Sequence, residues 1–334
     1  MTTEPAVMLN LRVTEVSALN PLIRMFRLRA DDGRVLPGYA AGAHLRVMVD
    51  LPGGASDWRH YSLINLDPAR SATAAPTEYV IAVRIDSEGR GGSRYMHERV
   101  KAGTRLVVEA PKNDFALHDR GDDSVGTVLL AGGIGVTPLV SMAAQRRAEG
   151  APVRMHYAGR SRALMAFLPE LQTLLGDALR VHADDEAGAP LNVASVLDAC
   201  GPQERLYVCG PKVLLDAVLA QTQARGWPHE RVHFELFTAA AAESGDRAFE
   251  VVLSQSGQHF TVPADQTILD CLIEHGCDPM YDCKRGECGV CGTPVLEGEI
   301  DHRDYVLSER ERAAGNVIQI CISRAKGERL VLDL

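Results

Sequence analysis

The stretch Cys283-Lys284-Arg285-Gly286-Glu287-Cys288-Gly289-Val290-Cys291, with Cys321 after a further 29 residues, decides how this chain is read. Three cysteines share one loop at C-x4-C-x2-C spacing and the fourth stands apart, the pattern of a plant-type 2Fe–2S cluster. The intervening residues suit such a ligand. A cluster of sulfides and thiolates is anionic, and Gly286, Gly289 and Gly292 let backbone N–H groups turn toward sulfur without Cβ clashes. Met280 and Tyr281 either shield one side of the loop or simply pack. Two rival uses of the quartet fit less well. Structural zinc shows two short Cys or Cys-His pairs, and disulfides belong to secreted chains, whereas MTTEPAVMLN carries no signal pattern. Cys200, Cys209, Cys271 and Cys277 have no comparable spacing, and Cys271 in ILDCLIEHG reads as a small core residue.

Working outward, 334 residues allow two or three domains. The chain is 46% apolar and 24% charged, ordinary for a globular protein. A net charge of −9 argues against a general nucleic-acid partner. No apolar run nears the ~20 residues that span a membrane. A reduced, cytoplasmic compartment is expected, with no membrane partner.

Residues 1–118 read as short alternating strands with turns, the pattern of an antiparallel β-barrel: LNLRVTEVSAL, IRMFRLRAD, HLRVMVDL, EYVIAVRID and TRLVVEAP. From 124 to 237 the period changes. VGTVLLAGG is a continuous apolar run suited to a strand buried on both faces. Helix and strand patterns then alternate through KVLLDAVLAQTQARG and RVHFELF, which predicts a doubly wound parallel sheet. The alanine-rich 238–247 reads as a linker, and 248–334 as a small α+β domain carrying the cysteines.

Inside this frame lie four further motifs. Gly132-Gly133-Ile134-Gly135-Val136-Thr137-Pro138 ends a strand and opens a helix, with Thr137 as expected N-cap and Pro138 as first helical residue. Its glycines leave space for a dinucleotide diphosphate at the helix N-terminus. Cys209-Gly210-Pro211 ends a later strand and is either a nicotinamide-side wall or a plain turn. Arg59-His60-Tyr61-Ser62 offers a cation, a flat ring and a hydroxyl, or ordinary barrel-surface residues. Gly89-Arg90-Gly91-Gly92-Ser93 could cradle a phosphate or turn a hairpin. His44, His97 and His118 show no metal spacing and read as structural. Asp184-Asp185-Glu186 is a solvated loop or faces a ribose, as Arg160, Ser161 and Arg162 could.

In their order along the chain, Arg59–Ser62, Gly89–Ser93, Gly132–Pro138, Cys209–Pro211 and the cysteine loop from Cys283 to Cys321, the five motifs resemble the phthalate dioxygenase reductase family, which includes the vanillate demethylase reductases, over nearly the whole chain. The resemblance implies a flavin barrel, an NAD domain and a plant-type, β-grasp ferredoxin domain. It assigns Arg59, His60, Tyr61 and Ser62 to FMN, with Gly91, Gly92 and Ser93 at its phosphate. Gly132, Gly133, Gly135, Thr137 and Pro138 would hold the NADH diphosphate, and Cys209, Gly210 and Pro211 the nicotinamide side. Glu235 and Phe237 match positions close to the flavin; Ser62, Cys209 and Glu235 are the candidate catalytic residues, and Cys283, Cys288, Cys291 and Cys321 the metal ligands. FMN is preferred over FAD because no extra adenosine-binding residues stand between Ile85 and Gly92. Arg160 and Arg162 leave NADPH open.

Electron counting then implies a path. Nicotinamide releases two electrons as a hydride, a 2Fe–2S cluster takes one, and a flavin can accept two and release them singly. The expected acceptor is a Rieske-type terminal oxygenase: plant-type clusters lie near about −400 mV and Rieske centres at about −150 to +300 mV. Lys284, Arg285 and Glu287 are the expected exposed docking rim, and a monomer is expected. A cytochrome P450 or diiron hydroxylase acceptor, or an iron–sulfur redox sensor, are the alternatives.

Overall fold

The computed structural model describes residues 7–70, 75–118, 125–237 and 243–334. The chain forms two compact units, Met1–Glu235 and Leu236–Leu334. Residues 119–124 and 238–242, which include the barrel-to-sheet junction and half of the expected linker, lie outside the described residues.

The first unit opens with a six-stranded antiparallel sheet built from β1 (Met8–Asn20), β2 (Ile23–Ala30), β3 (His44–Asp50), β4 (Ser56–Ser62), β5 (Tyr79–Arg84) and β6 (Arg105–Glu109), in the order β4-β3-β6-β1-β2-β5. Period-two alternation drives it: Leu9, Leu11 and Val13 of β1 and Leu45, Val47 and Val49 of β3 point into one core. Register shifts after Val13 and Ala18 bend β1, which pairs with β6 through its first half and with β2 along most of its length. The helix α1 (Gly92–Glu98) sends Met96 into the barrel core.

The second half of this unit is a parallel sheet of β7 (Thr127–Gly132), β8 (Val153–Gly159), β9 (Leu179–Ala183), β10 (Arg205–Cys209) and β11 (Val232–Glu235). Between them run α2 (Val136–Ala148), α3 (Leu168–Leu175), α4 (Asp184–Ala187), α5 (Val193–Asp198) and α6 (Lys212–Ala224). All six residues of β7 are buried, as a central parallel strand demands. The strand order β11-β10-β7-β8-β9 reverses direction between β7 and β10. That reversal is the topological switch point, where open α/β sheets leave a crevice at the strands' carboxyl ends. Ser141 of α2 stitches the two halves: its hydroxyl donates to Leu63 O at 2.8 Å and accepts from Asn65 N–H at 2.8 Å.

The second unit holds β12 (Phe249–Leu253), β13 (His259–Val262), α7 (Ile268–Glu274), β14 (Gly292–Glu297), β15 (Ile300–Asp301), α8 (Glu309–Ala314), β16 (Val317–Gln319), β17 (Arg324–Ala325) and β18 (Arg329–Leu332). The sheet order is β13-β12-β18-β14-β16, with β12 and β18 parallel and the remaining pairs antiparallel. α7 is capped by Thr267, whose hydroxyl accepts Asp270 N–H at 3.0 Å, and buries Ile268, Leu269, Cys271 and Leu272. Asp246, within the expected linker, belongs to this unit: it pairs with Arg303 at 2.5 Å, which holds its carboxyl down at about 2.

Candidate functional site

Strand parity divides the Arg59–Ser62 motif between two faces. Arg59 and Tyr61 stand on the face of Val47 and Leu45, and Tyr61 packs against the barrel core. His60 and Ser62 stand on the opposite face, where His60 stacks on His44 at 4.7 Å. Arg59 hydrogen-bonds Asp57 and the Trp58 carbonyl through Nη1, while its buried Nη2 has no partner. The buried Ser62 hydroxyl has none either. Burial pushes the Tyr61 phenol up, against the opposing pull of the Arg59 cation.

The second glycine-rich motif converges on this arginine. Gly91 is left-handed at φ +98°, and a Cβ there would stand 2.6 Å from Pro52. A Cβ on Gly92 would meet Arg59 Nε at 2.7 Å. Residues 32 and 33 apart in sequence thus form one cradle: a guanidinium with an uncommitted N–H against a backbone stripped of side chains, suited to an anion. The motif opens a helix rather than turning a hairpin. The Ser93 hydroxyl accepts Asp86 N–H at 3.0 Å and so braces the preceding turn.

At the switch point the two glycine motifs of the parallel sheet meet back to back. Cys209 aligns with Ala131 across β10 and β7, and with Glu235 across β10 and β11. A Cβ on Gly132 would strike Pro211 Cδ at 2.7 Å, and one on Gly210 would lie 3.0 Å from Gly132 Cα. Gly133, at φ +55°, has nothing within 4 Å of its Cβ position and faces open space. The Tyr157 hydroxyl ties this turn from beneath, donating to Gly133 O at 3.3 Å and Ala166 O at 3.2 Å. One expectation is corrected. Helix α2 starts at Val136 with Gly135 as N-cap, so Thr137 and Pro138 are its second and third residues. A short 3₁₀ turn over Gly133–Gly135 begins the coil early, and the Thr137 hydroxyl donates to Ile134 O at 3.0 Å instead of capping. Proline is tolerated there because first-turn N–H groups lack helical acceptors anyway. Glu235, the last residue of β11, is buried; Phe237, in the second unit, is half-buried. Asp184–Glu186 forms a one-turn helix whose Glu186 pairs with Arg162 at 2.8 Å.

The cysteine loop is shaped by three left-handed residues, Lys284 (φ +55°), Gly286 (φ +77°) and Gly289 (φ +75°). At Gly286 a side chain would meet Ile322 at 2.7 Å and Asp304 Cα at 3.2 Å. Tyr305 N–H donates to Gly286 O at 2.9 Å, so the 304–305 segment clamps the loop from outside. Arg285 N–H points inward to Cys283 Sγ at 3.3 Å. The four thiols converge. Cys283 accepts hydrogen bonds from Cys288 and Cys321, and Cys291 accepts from Cys321. These bonds hold the acceptor thiols low, and Cys288 and Cys321 are pushed high by donating to Cys283 and by burial. Among the described residues no three His, Cys, Asp or Glu groups surround a single ion position. Together Cys283, Cys288, Cys291 and Cys321 would supply the four thiolates that a 2Fe–2S cluster needs.

The expected docking rim is corrected here. Arg285 is only 6% exposed and lies 3.4 Å from Glu287, and Glu287 accepts Leu236 N–H. Lys284 is half-buried, 2.9 Å from Asp270 and over the Tyr281 ring at 4.8 Å. These charges brace the loop because its left-handed backbone needs side-chain anchors. The outward residues are Met280, 78% exposed, together with Tyr281, Val290 and Val306, so Met280 does not shield the loop.

A domain family described as "2Fe-2S iron-sulfur cluster binding domain" matches residues 251–326, which include all four cysteines. Tetrachlorobenzoquinone reductase of Sphingobium chlorophenolicum is 41% identical over 99% of this chain and 100% of its own. Phthalate dioxygenase reductase, a solved structure described as modular for electron transfer from pyridine nucleotides to 2Fe–2S, is 37% identical with a TM-score of 0.72, covering 98% of each chain. The chain belongs to the phthalate dioxygenase reductase family. Its fold is that of this family: flavin-type barrel, nucleotide-type parallel sheet and β-grasp ferredoxin domain. The reductase subunit of the toluene-4-sulfonate monooxygenase system of Comamonas testosteroni is 40% identical over 96% of this chain and 98% of its own. An intact type IV self-sufficient cytochrome P450 monooxygenase contains a matching stretch, 38% identical with TM-score 0.71; this chain spans 41% of that protein's length.

Sequence reading missed Gln319 and Asp304. Gln319 carried no local signal, since the thiol it meets, Cys291, lies 28 residues earlier in the chain. Asp304 carried no signal, since its role is contact with a loop 18 residues away.

Proposed function

We propose that the protein is the reductase component of a two-component oxygenase system, carrying electrons from NADH to a Rieske-type terminal oxygenase. The observation that carries the reading is the convergence of Cys283, Cys288, Cys291 and Cys321 in one chain with a switch-point dinucleotide crevice. When bound, FMN converts a two-electron donor into single electrons and the 2Fe–2S cluster passes them on singly. The chain's own residues bind and orient. Arg59 Nη2 and the Gly91–Gly92 backbone would take the flavin phosphate, Tyr61 the ring face and Ser62 a ring edge; the open guanidinium and orphan hydroxyl support this. Gly132, Gly133 and Gly135 would admit the NADH diphosphate, and Cys209–Pro211 with Glu235 would border the nicotinamide. Ser93, Thr137, Pro138 and Phe237 shape or flank these places. No side chain has to transfer a proton, so stacking and alignment do the work.

No helix among the described residues is long and apolar enough to cross a membrane. We place the protein in the cytoplasm, where thiolate ligands stay reduced, as a monomer in transient contact with its acceptor. The match to a P450-fused relative favours a second reading, in which the acceptor is a haem monooxygenase. Anaerobic titration with NADH, followed by visible absorbance and EPR, tests the path. Flavin bleaching with a reduced-cluster signal is expected; no response to NADH refutes the donor. Reoxidation by a Rieske oxygenase but not by a P450 decides the acceptor, and the reverse result rejects the primary reading.

A further inference from the structure

We infer that Gln319 sets the reduction potential of the cluster by donating a side-chain hydrogen bond to Cys291; this rests on reading Cys291 and Cys321 as cluster ligands. Gln319 is 2% exposed, at the end of β16. The Cys291 thiol lies 3.3 Å from its Oε1 and donates to it. A ligating thiolate has no proton to donate and acts only as an acceptor. The carboxamide answers by a half-turn about its last side-chain bond, which exchanges Oε1 for Nε2 at the same place.

The surroundings permit that exchange. Gly292 pairs with Gln319 across the β14–β16 ladder. A Cβ on Gly292 would stand 3.1 Å from Nε2 and 3.7 Å from Oε1, so glycine there leaves the amide room on its strand-facing side. The backbone of the same residue serves the other ligand. Gln319 O accepts N–H bonds from Ile322 at 3.2 Å and Ser323 at 3.0 Å, closing the turn that carries Cys321. One residue thus holds one ligand by its side chain and the next by its main chain.

The electronic consequence follows from charge. Reduction adds one electron, supplied by NADH through the flavin, with no bond broken and no proton taken up. The added negative charge spreads onto the sulfurs, so an N–H donor stabilises the reduced cluster more than the oxidised one. Gln319 is a positioning residue: it exchanges no electron itself.

The test uses the full holoprotein. EPR-monitored redox titration of wild type and Gln319→Met, which keeps the volume and removes the donor, reads the midpoint directly. A tenfold shift of the reduced-to-oxidised ratio toward oxidised is expected, about 59 mV more negative for a one-electron couple. An unchanged midpoint with an intact cluster overturns the inference. Wild type labelled with ¹⁵N-glutamine gives a second measurement independent of any variant. Pulsed EPR of its reduced cluster should show a weak ¹⁵N coupling, and absence of that coupling overturns the inference too. A wild-type protein showing no cluster signal at all overturns the ligand reading, and the inference with it.

Discussion

Replacing Gly135 with alanine tests whether backbone-to-backbone contact at the switch point builds the dinucleotide crevice. Gly135 has an ordinary helical φ of −60°, so the substitution adds no torsional strain. The cost is steric. A Cβ there would stand 2.6 Å from Gly210 N and closer still to the Cys209 carbonyl, against a closest real approach of about 3.0 Å. Those atoms are main chain at the end of a buried strand and cannot swing aside as a long side chain would. The two turns must therefore separate by roughly 0.8 Å to clear the Cys209 carbonyl, and overpacking of this kind costs about 1–3 kcal/mol. For a unit of this size that lowers Tm by about 2–12 °C. A ligand held between the turns feels the same displacement, and misplacement near 1 Å can cost up to about a hundredfold. The expected result is a KM for NADH raised about tenfold or more with flavin occupancy unchanged, read by steady-state kinetics and differential scanning fluorimetry. Gly150→Ala is the control: Gly150 has φ +69° and open space around its Cβ position, so it loses stability without touching the crevice. Wild-type KM in Gly135→Ala, whatever its Tm, refutes the reasoning.

Arg59→Ala should weaken FMN binding at least about tenfold in a fluorescence titration of the apoprotein, because the open Nη2 is the charge-assisted donor; an unaltered Kd would count against the cradle. Cys321→Ser should lose bound iron while NADH still bleaches the flavin, and a wild-type EPR spectrum in that variant would remove Cys321 from the ligand set. His233 lies between His118, at 4.3 Å, and Tyr207, at 4.6 Å, and burial, reinforced by the His118 and Arg205 charges, holds its imidazole down at about 4. The unfolded ring protonates near about 6.5, so unfolding takes up a proton between these values. The stability from neutral His233 is thus full above about pH 6.5 and is lost as pH falls toward 4. His233→Phe should flatten that part of the Tm–pH curve, and an unchanged slope would exclude His233 as its source.

Much of this was open to inspection in the chain itself. Cysteine spacing, the buried run of β7 and the period-two strands are local patterns, and local patterns fix ligand type and element type. The glycine clusters announced themselves as places where backbone needed room. What they made room for was not readable, because the partner lies far along the chain. Only the folded structure set Gly92 against Arg59, Gly135 against Cys209, and Gly286 against Asp304. The N-cap of α2 moved from Thr137 to Gly135 because a 3₁₀ turn, decided by packing at the switch point, began the coil early. Lys284, Arg285 and Glu287 looked like a solvated rim on charge alone; the left-handed loop turned them into its braces. Residue types and their spacing thus determined which chemistry this protein can hold. Which backbone approaches which, and so which side chains face a ligand or are spent holding the loop, was decided by tertiary packing, where contacts between distant residues outweigh local preference.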